Sequence, residues 1–252
     1  MVSQIILREI GYAYAVILVL LLAYLWYSKK ITRKQTIPVL VLTTIVGFIT
    51  LAPLAPHNFQ SMIVSGLNPS LTVAAWGLAI IFVLTFLFGR IFCGHLCPAG
   101  AVQELVYLIP CKKFGRTLKK ETIAVRVVVF FGILAAAWFY SFKTVKMLGI
   151  SDFFHLILTT GTVIFIAILI VSVFFYRPFC RLICPYGTLL LIPAAFSVFK
   201  IRRTDSCVSC RNCESVCPVD EAKPDDKRAE CFMCGRCLES CNKFDAMSYG
   251  KK

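Results

Sequence analysis

Five runs of this sequence, Ile10–Tyr27, Ile37–Ala55, Leu71–Gly89, Ile123–Tyr140 and Leu156–Phe175, are almost unbroken in apolar residues. Each approaches the twenty or so residues that a helix needs to cross a hydrocarbon core about 30 Å thick. Backbone amides find no water in lipid, so such a run is stable there as a helix that satisfies its own hydrogen bonds. The whole chain is 58% hydrophobic and 16% charged, where a soluble domain carries about half and about a quarter. That excess lies before residue 200, and the last fifty or so residues are polar and cysteine-rich. The expectation is an all-α polytopic membrane protein of about five transmembrane helices over residues 1–200. A small C-terminal α+β domain follows over residues 201–252. The first run is too long for a secretory leader, and Ser28-Lys29-Lys30 reads as a stop signal rather than a cleavage site.

The formal net charge is +14. Nucleic acid is excluded as the partner, because the cations cluster in loops between apolar runs, where membrane topology places them. Lys29, Lys30, Arg33 and Lys34 follow the first run; Arg90, Lys112, Lys113, Arg116, Lys119 and Lys120 follow the third; Arg177, Arg181, Lys200, Arg202 and Arg203 follow the fifth. The loop from His57 to Ser70 has no Lys or Arg, and Ser141–His155 has only Lys143 and Lys146. This alternation sets the N-terminus outside and the C-terminal domain in the cytoplasm, in a multi-pass protein of the cytoplasmic (inner) membrane, with the lipid bilayer as its first partner. Arg126 lies within the fourth run near its cytoplasmic end, where snorkelling to the interface is expected.

The third and fifth runs close on copies of one pattern, R-x-F-C-x3-C-P-x-G, at Arg90–Gly100 and Arg177–Gly187. Two runs separate the copies, so both fall on the cytoplasmic side as a parallel internal repeat. No interrupted run of the kind that binds transported substrates is visible, which sets transport aside.

Cys207, Cys210, Cys213 and Cys217 follow C-x2-C-x2-C-x3-C, completed by Pro218; Cys231, Cys234, Cys237 and Cys241 repeat the spacing with Asn242 in the proline's place. This is the dicluster ferredoxin signature, in which three cysteines of a tight loop hold three corners of one cubane and the fourth reaches the other cluster. Two [4Fe-4S] clusters are therefore expected. Cys207, Cys210, Cys213 and Cys241 would hold one, and Cys231, Cys234, Cys237 and Cys217 the other. Zinc sites instead use C-x2-C pairs a dozen or more residues apart. The linker Val219–Glu230 is charged and reads as an exposed surface excursion.

Cys97 and Cys184 each precede a proline, the residue suited to the first position of a helix, so both are expected as N-caps. A helix N-terminus and the nearby Arg90, Arg177 and Arg181 would favour thiolate. The hypothesis is that Cys93, Cys97, Cys180 and Cys184 converge on one additional Cys-ligated iron–sulfur or metal centre at the membrane edge. Two alternatives stay open: thiol/disulfide couples, or helix packing. Cys111 reads as a free cytoplasmic thiol, and His95 as a packed side chain rather than a ligand or proton carrier. With three histidines and no C-x-x-C-H, haem is unlooked for.

These motifs together resemble the NapH/NosR/CcoG group of membrane ferredoxin-type proteins, over about Ile37 to Met247. Four spans of NapH would match the second to fifth runs, leaving Ile10–Tyr27 as an addition. The resemblance implies electron transfer between a quinone pool or cytoplasmic donor and partner oxidoreductase subunits or a ferredoxin. On that reading the chain is a component of an oxidoreductase complex rather than a stand-alone enzyme. Quinone is a candidate ligand, but Asn58, Gln60 and Asn68 are too ordinary to mark its pocket. An assembly or metal-reductase factor of CcoG type, or a redox sensor, shares every one of these motifs.

Overall fold

The computed structural model describes residues 2–50, 60–61, 69–114, 119–140, 144–243 and 246–251. The long helices are α1 (Val2–Tyr27), α2 (Arg33–Thr50) and α3 (Pro69–Phe88), then, beyond the short α4 (Pro98–Tyr107), α5 (Lys119–Tyr140). The short turns α6 (Thr144–Met147) and α7 (Ile150–Phe154) lead into α8 (Thr160–Phe174). Each expected run therefore contains a helix. Among the described residues one helix, Lys119–Phe139, is long and apolar enough to cross a membrane; Gly11–Tyr27, Ala74–Phe88 and Thr160–Phe174 are shorter apolar helices. Their outward faces carry large bare apolar side chains, such as Trp76 at 69% exposure and Phe139 at 77%.

The fifth helix is shorter than the run that predicts it. Leu156 has φ 57°, and helix begins after Thr159, whose hydroxyl accepts a hydrogen bond from the Thr162 amide at 3.2 Å. A good cap wins over apolar continuity here. The resulting 15 residues extend about 22 Å. The end of the second run, residues 51–55, and the side chains of His57, Asn58 and Asn68 lie outside the described residues.

Beyond α8 the chain makes the turns α9 (Pro185–Leu189) and α10 (Leu191–Ala195). It then pairs β1 (Phe199–Arg203) antiparallel with β2 (Met247–Lys251), Ile201 opposite Tyr249. Alternation explains the pair: Ile201, Met247 and Tyr249 face inward. The two strands close off the cysteine-rich segment between them, and the result is a mostly helical chain with one small strand pair. The strand pair is tied to the helices. The Val198 amide donates to Phe86 O at 3.0 Å, Tyr249 Oη donates to Phe88 O at 3.1 Å, and the Phe88 and Phe199 rings stack at 5.7 Å.

Two sequence expectations are corrected by this docking. Residues 219–230 are no surface excursion: Val219, Glu221, Ala222, Arg228 and Glu230 are buried, leaving Lys223 to Asp225 and Lys227 exposed. Arg126 does not snorkel. It is fully buried, and its Nη2 donates to Glu230 Oε1 at 2.5 Å.

Candidate metal centres

Each R-x-F-C copy forms one wide turn, Phe92–Leu96 and Phe179–Ile183, closed by hydrogen bonds from Cys97 N to Phe92 O (2.9 Å) and Cys184 N to Phe179 O (3.0 Å). Such π-type turns add a residue to the helical ladder and are frequent at functional sites. Cys97 and Cys184 are N-caps, with Pro98 and Pro185 as the first helical residues. Neither cysteine side chain accepts a capping hydrogen bond, though the amides of Ala99 and Gly100 pull the Cys97 thiol pKa down and those of Tyr186 and Gly187 pull the Cys184 thiol down. The motif glycines are fixed by close approach. A Cβ on Gly100 would stand 2.6 Å from Cys93 O, and one on Gly187 2.7 Å from Cys180 O.

Cys93, Cys97, Cys180 and Cys184 line one cavity, together with Arg90, Phe179, Tyr186, Leu190 and Phe232. The parallel repeat thus brings both pairs to one place. Thiolate is not favoured as the sequence suggested. Burial pushes the Cys93 thiol up to about 11 and the Cys184 thiol up to about 12, outweighing Arg90 in the first case and the N-terminal amides in the second.

Two clusters of buried ions lie near the cavity, and Arg90 of the first lines it. Glu230 receives Arg126, with Arg90 Nη1 at 3.7 Å and Arg181 Nε at 3.9 Å from its carboxylate. Glu104 receives Arg177 Nε at 3.0 Å and Arg236 Nη2 at 2.7 Å. Desolvation works against the Glu104 charge, yet the two guanidiniums hold its carboxyl down at about 2. Five guanidiniums against two carboxylates leave three cations in excess. Buried charge is costly unless compensated, and four thiolates sharing iron are an anion that would compensate it. Glu104, Glu230 and Arg126 were not singled out from sequence as partners of the cysteines. Their only signal there is charge beside apolar residues and, for Glu230, a position next to Cys231.

Between the two strands, Cys207, Cys210, Cys213 and Cys241 line a cavity of about 330 Å³ with Arg203, Arg211 and Met247. Cys217 lies close enough to Cys234 and Cys237 for their charges to interact, as do Cys231 and Cys217. The fourth cysteine of each run therefore stands with the other run's three. Both loops carry left-handed residues at the same offsets: Ser209 and Arg211 around Cys210, and Met233 and Gly235 around Cys234. Alternating left-handed residues turn successive amides toward one point, a nest suited to an anion. Four cysteines around a space of this size fit a cubane. Among the described residues, no three His, Cys, Asp or Glu side chains gather closely enough to hold a single metal ion.

Phe232 joins the two regions. It directly follows Cys231, lines the four-cysteine cavity, and lies 5.0 Å from the Arg177 guanidinium and 6.0 Å from the Tyr176 ring. Its carbonyl packs against Gly94, where no side chain would fit. His95 is buried, held neutral by a pKa lowered to about 4, and is not among the residues lining the four-cysteine cavity. Cys111 stands apart from the other cysteines, donating to Val173 O at 3.4 Å.

The sequence profile of the 4Fe-4S binding domain matches the chain twice, at residues 71–117 and 157–204. Each match contains one copy of the C-x3-C-P motif, and both stop before Cys207. MJ0750, an uncharacterised protein of Methanocaldococcus jannaschii, is 36% identical over 190 residues, covering 68% of this chain and 76% of that one. The chain belongs to the 4Fe-4S binding family. YccM of Escherichia coli, named for electron transport, is 31% identical over 220 residues, or 78% of this chain and 61% of YccM. The ferredoxin-type protein NapH of Haemophilus influenzae is 24% identical over 202 residues, or 72% of this chain and 69% of NapH. The family is one of iron–sulfur electron-transport proteins of the ferredoxin type, as the motifs had suggested. No solved structure matches the chain.

Proposed function

We propose that this chain is a multi-pass electron-transfer protein of the cytoplasmic membrane with three cysteine-bound redox centres. Two are [4Fe-4S] clusters in a domain of residues 201–252, held by Cys207, Cys210, Cys213 and Cys241, and by Cys231, Cys234, Cys237 and Cys217. The third is an iron–sulfur centre held by Cys93, Cys97, Cys180 and Cys184 where the helical region of residues 1–200 meets that domain. The observation that carries this reading is the single cavity lined by cysteines from both repeat copies and by Phe232, the neighbour of Cys231.

Bound clusters supply one-electron carriers. The protein's part is to space and insulate them. The Cys207 set lies outermost, with Cys210 exposed. The Cys231 set lies between it and the helices, and Phe232 separates that set from the third centre. Electrons would pass along this order between a cytoplasmic redox protein and a quinone or membrane partner. The apolar outward faces of the helices and the basic loops support five spans, with the N-terminus outside and the cluster domain in the cytoplasm.

Single Cys97→Ser and Cys184→Ser variants test the third centre. Each is expected to lose iron relative to the parent protein while both ferredoxin signals persist. Unchanged iron in both variants would sink the shared centre.

A further inference from the structure

The two motif arginines occupy equivalent positions and are used differently. Arg177 is fully engaged: Nε donates to Glu104 Oε2 at 3.0 Å, Nη1 to Cys93 O at 2.6 Å and Nη2 to Gly94 O at 2.6 Å. Arg90 is equally buried, at 1% exposure, yet only its Nη2 is placed, donating to Gly187 O at 2.9 Å. Its Nε and Nη1 have no hydrogen-bond partner among the described residues. The 3.7 Å from Nη1 to Glu230 Oε1 is an ion pair and too long for a hydrogen bond. A fixed cation with spare donors, buried in a wall of the four-cysteine cavity, is costly to keep unless something accepts those donors.

We infer that Arg90 is the positioning residue that sets the reduction potential of the centre held by Cys93, Cys97, Cys180 and Cys184, with Glu230 as its opposing charge. The inference rests on the third centre proposed above. An iron–sulfur cluster bound by four thiolates is an anion, and one added electron makes it more negative. A guanidinium in the wall of the cavity those cysteines line stabilises the reduced state more than the oxidised one and raises the potential. Glu230 acts in the other sense: its carboxylate, bonded to Arg126 and facing Arg90 and Arg181, offsets part of the cationic field. Charge-assisted donors of this kind need a rigid fork, which lysine lacks.

The test is an EPR-monitored redox titration of the full chain, purified anaerobically, in four forms: parent, Arg90→Gln, Arg90→Lys and Glu230→Gln. The third centre should move to lower potential in Arg90→Gln and by less in Arg90→Lys, and to higher potential in Glu230→Gln. The Cys207-set cluster should not move in any of them. Opposite shifts from two neutralising changes in one ion pair are what loosened packing would not give. A third signal with one potential in all assembled forms, or shifted alike by Arg90→Gln and Glu230→Gln, overturns the inference. If Arg90→Gln fails to assemble, Arg90→Lys and Glu230→Gln decide it: no shift in either overturns it. A parent protein with only the two ferredoxin signals removes the third centre itself, a different failure from unshifted potentials.

Discussion

The two copies of R-x-F-C-x3-C-P-x-G share a backbone and differ in what holds them. In the first, Cys93 O and Gly94 O accept from Arg177, the arginine of the second copy. In the second, Cys180 O lies 3.5 Å from Nη1 of Arg126, which comes from α5 and no motif. Arg90, the first copy's own arginine, reaches across to Gly187 O and keeps two donors in reserve. Gln103, just past the first copy, serves the second, accepting from the Phe179 amide at 3.1 Å and lying 3.4 Å from the Cys180 sulfur. Duplication thus sets the places of four cysteines, while exchange of side chains between copies locks them together. Neither copy places its cysteines by its own side chains alone.

That comparison breaks most visibly at the arginines. Arg177→Ala should cost about 3–5 kcal/mol, because it leaves Glu104 short of one buried partner and strips two carbonyls. Arg90→Ala should cost clearly less, having one placed hydrogen bond to lose. Thermal unfolding in detergent reads the difference, and equal losses would mean that the two arginines do the same work. The motif glycines should instead behave alike. Gly100→Ala and Gly187→Ala each force a methyl against a cysteine carbonyl, at about 1–3 kcal/mol, and a copy that tolerates the methyl would show the two turns to be less similar than they look. A smaller effect belongs to the seam below them. Tyr249→Phe removes the hydroxyl that bonds Phe88 O and should lower stability by about 1 kcal/mol. No change would mean that water replaces it. Smallest of all, blocking Cys111 with a membrane-impermeant maleimide should leave every cluster signal in place. Labelling from the cytoplasmic face alone fits the proposed orientation, and labelling from outside contradicts it.

Much of this was legible in the sequence because ligand spacing is a local property. The N-cap positions of Cys97 and Cys184 and the repeat follow from a few neighbouring residues. What was hidden depends on tertiary packing. Arg126 reads as a snorkelling cation until Glu230, 104 residues away, is brought to it. Residues 219–230 read as solvated because they are charged, yet the charges of Glu221 and Glu230 are directed inward to partners on α5. The thiol chemistry was inverted for the same reason. The helix termini do favour thiolate, but the burial that opposes them exists only once the copies close on each other. The late start of α8 was readable in principle, since Thr159 and Thr162 form a capping pair, but the apolar run across them masked it.

The most direct test of the account is the iron and acid-labile sulfide content of anaerobically purified parent protein, with EPR of the dithionite-reduced form. The account predicts clearly more than the roughly eight irons of two cubanes, and an additional signal that interacts magnetically with the Cys231-set cluster. About eight irons with two coupled [4Fe-4S] signals and nothing further would contradict it, leaving the four C-x3-C cysteines as thiols closing the seam between the copies.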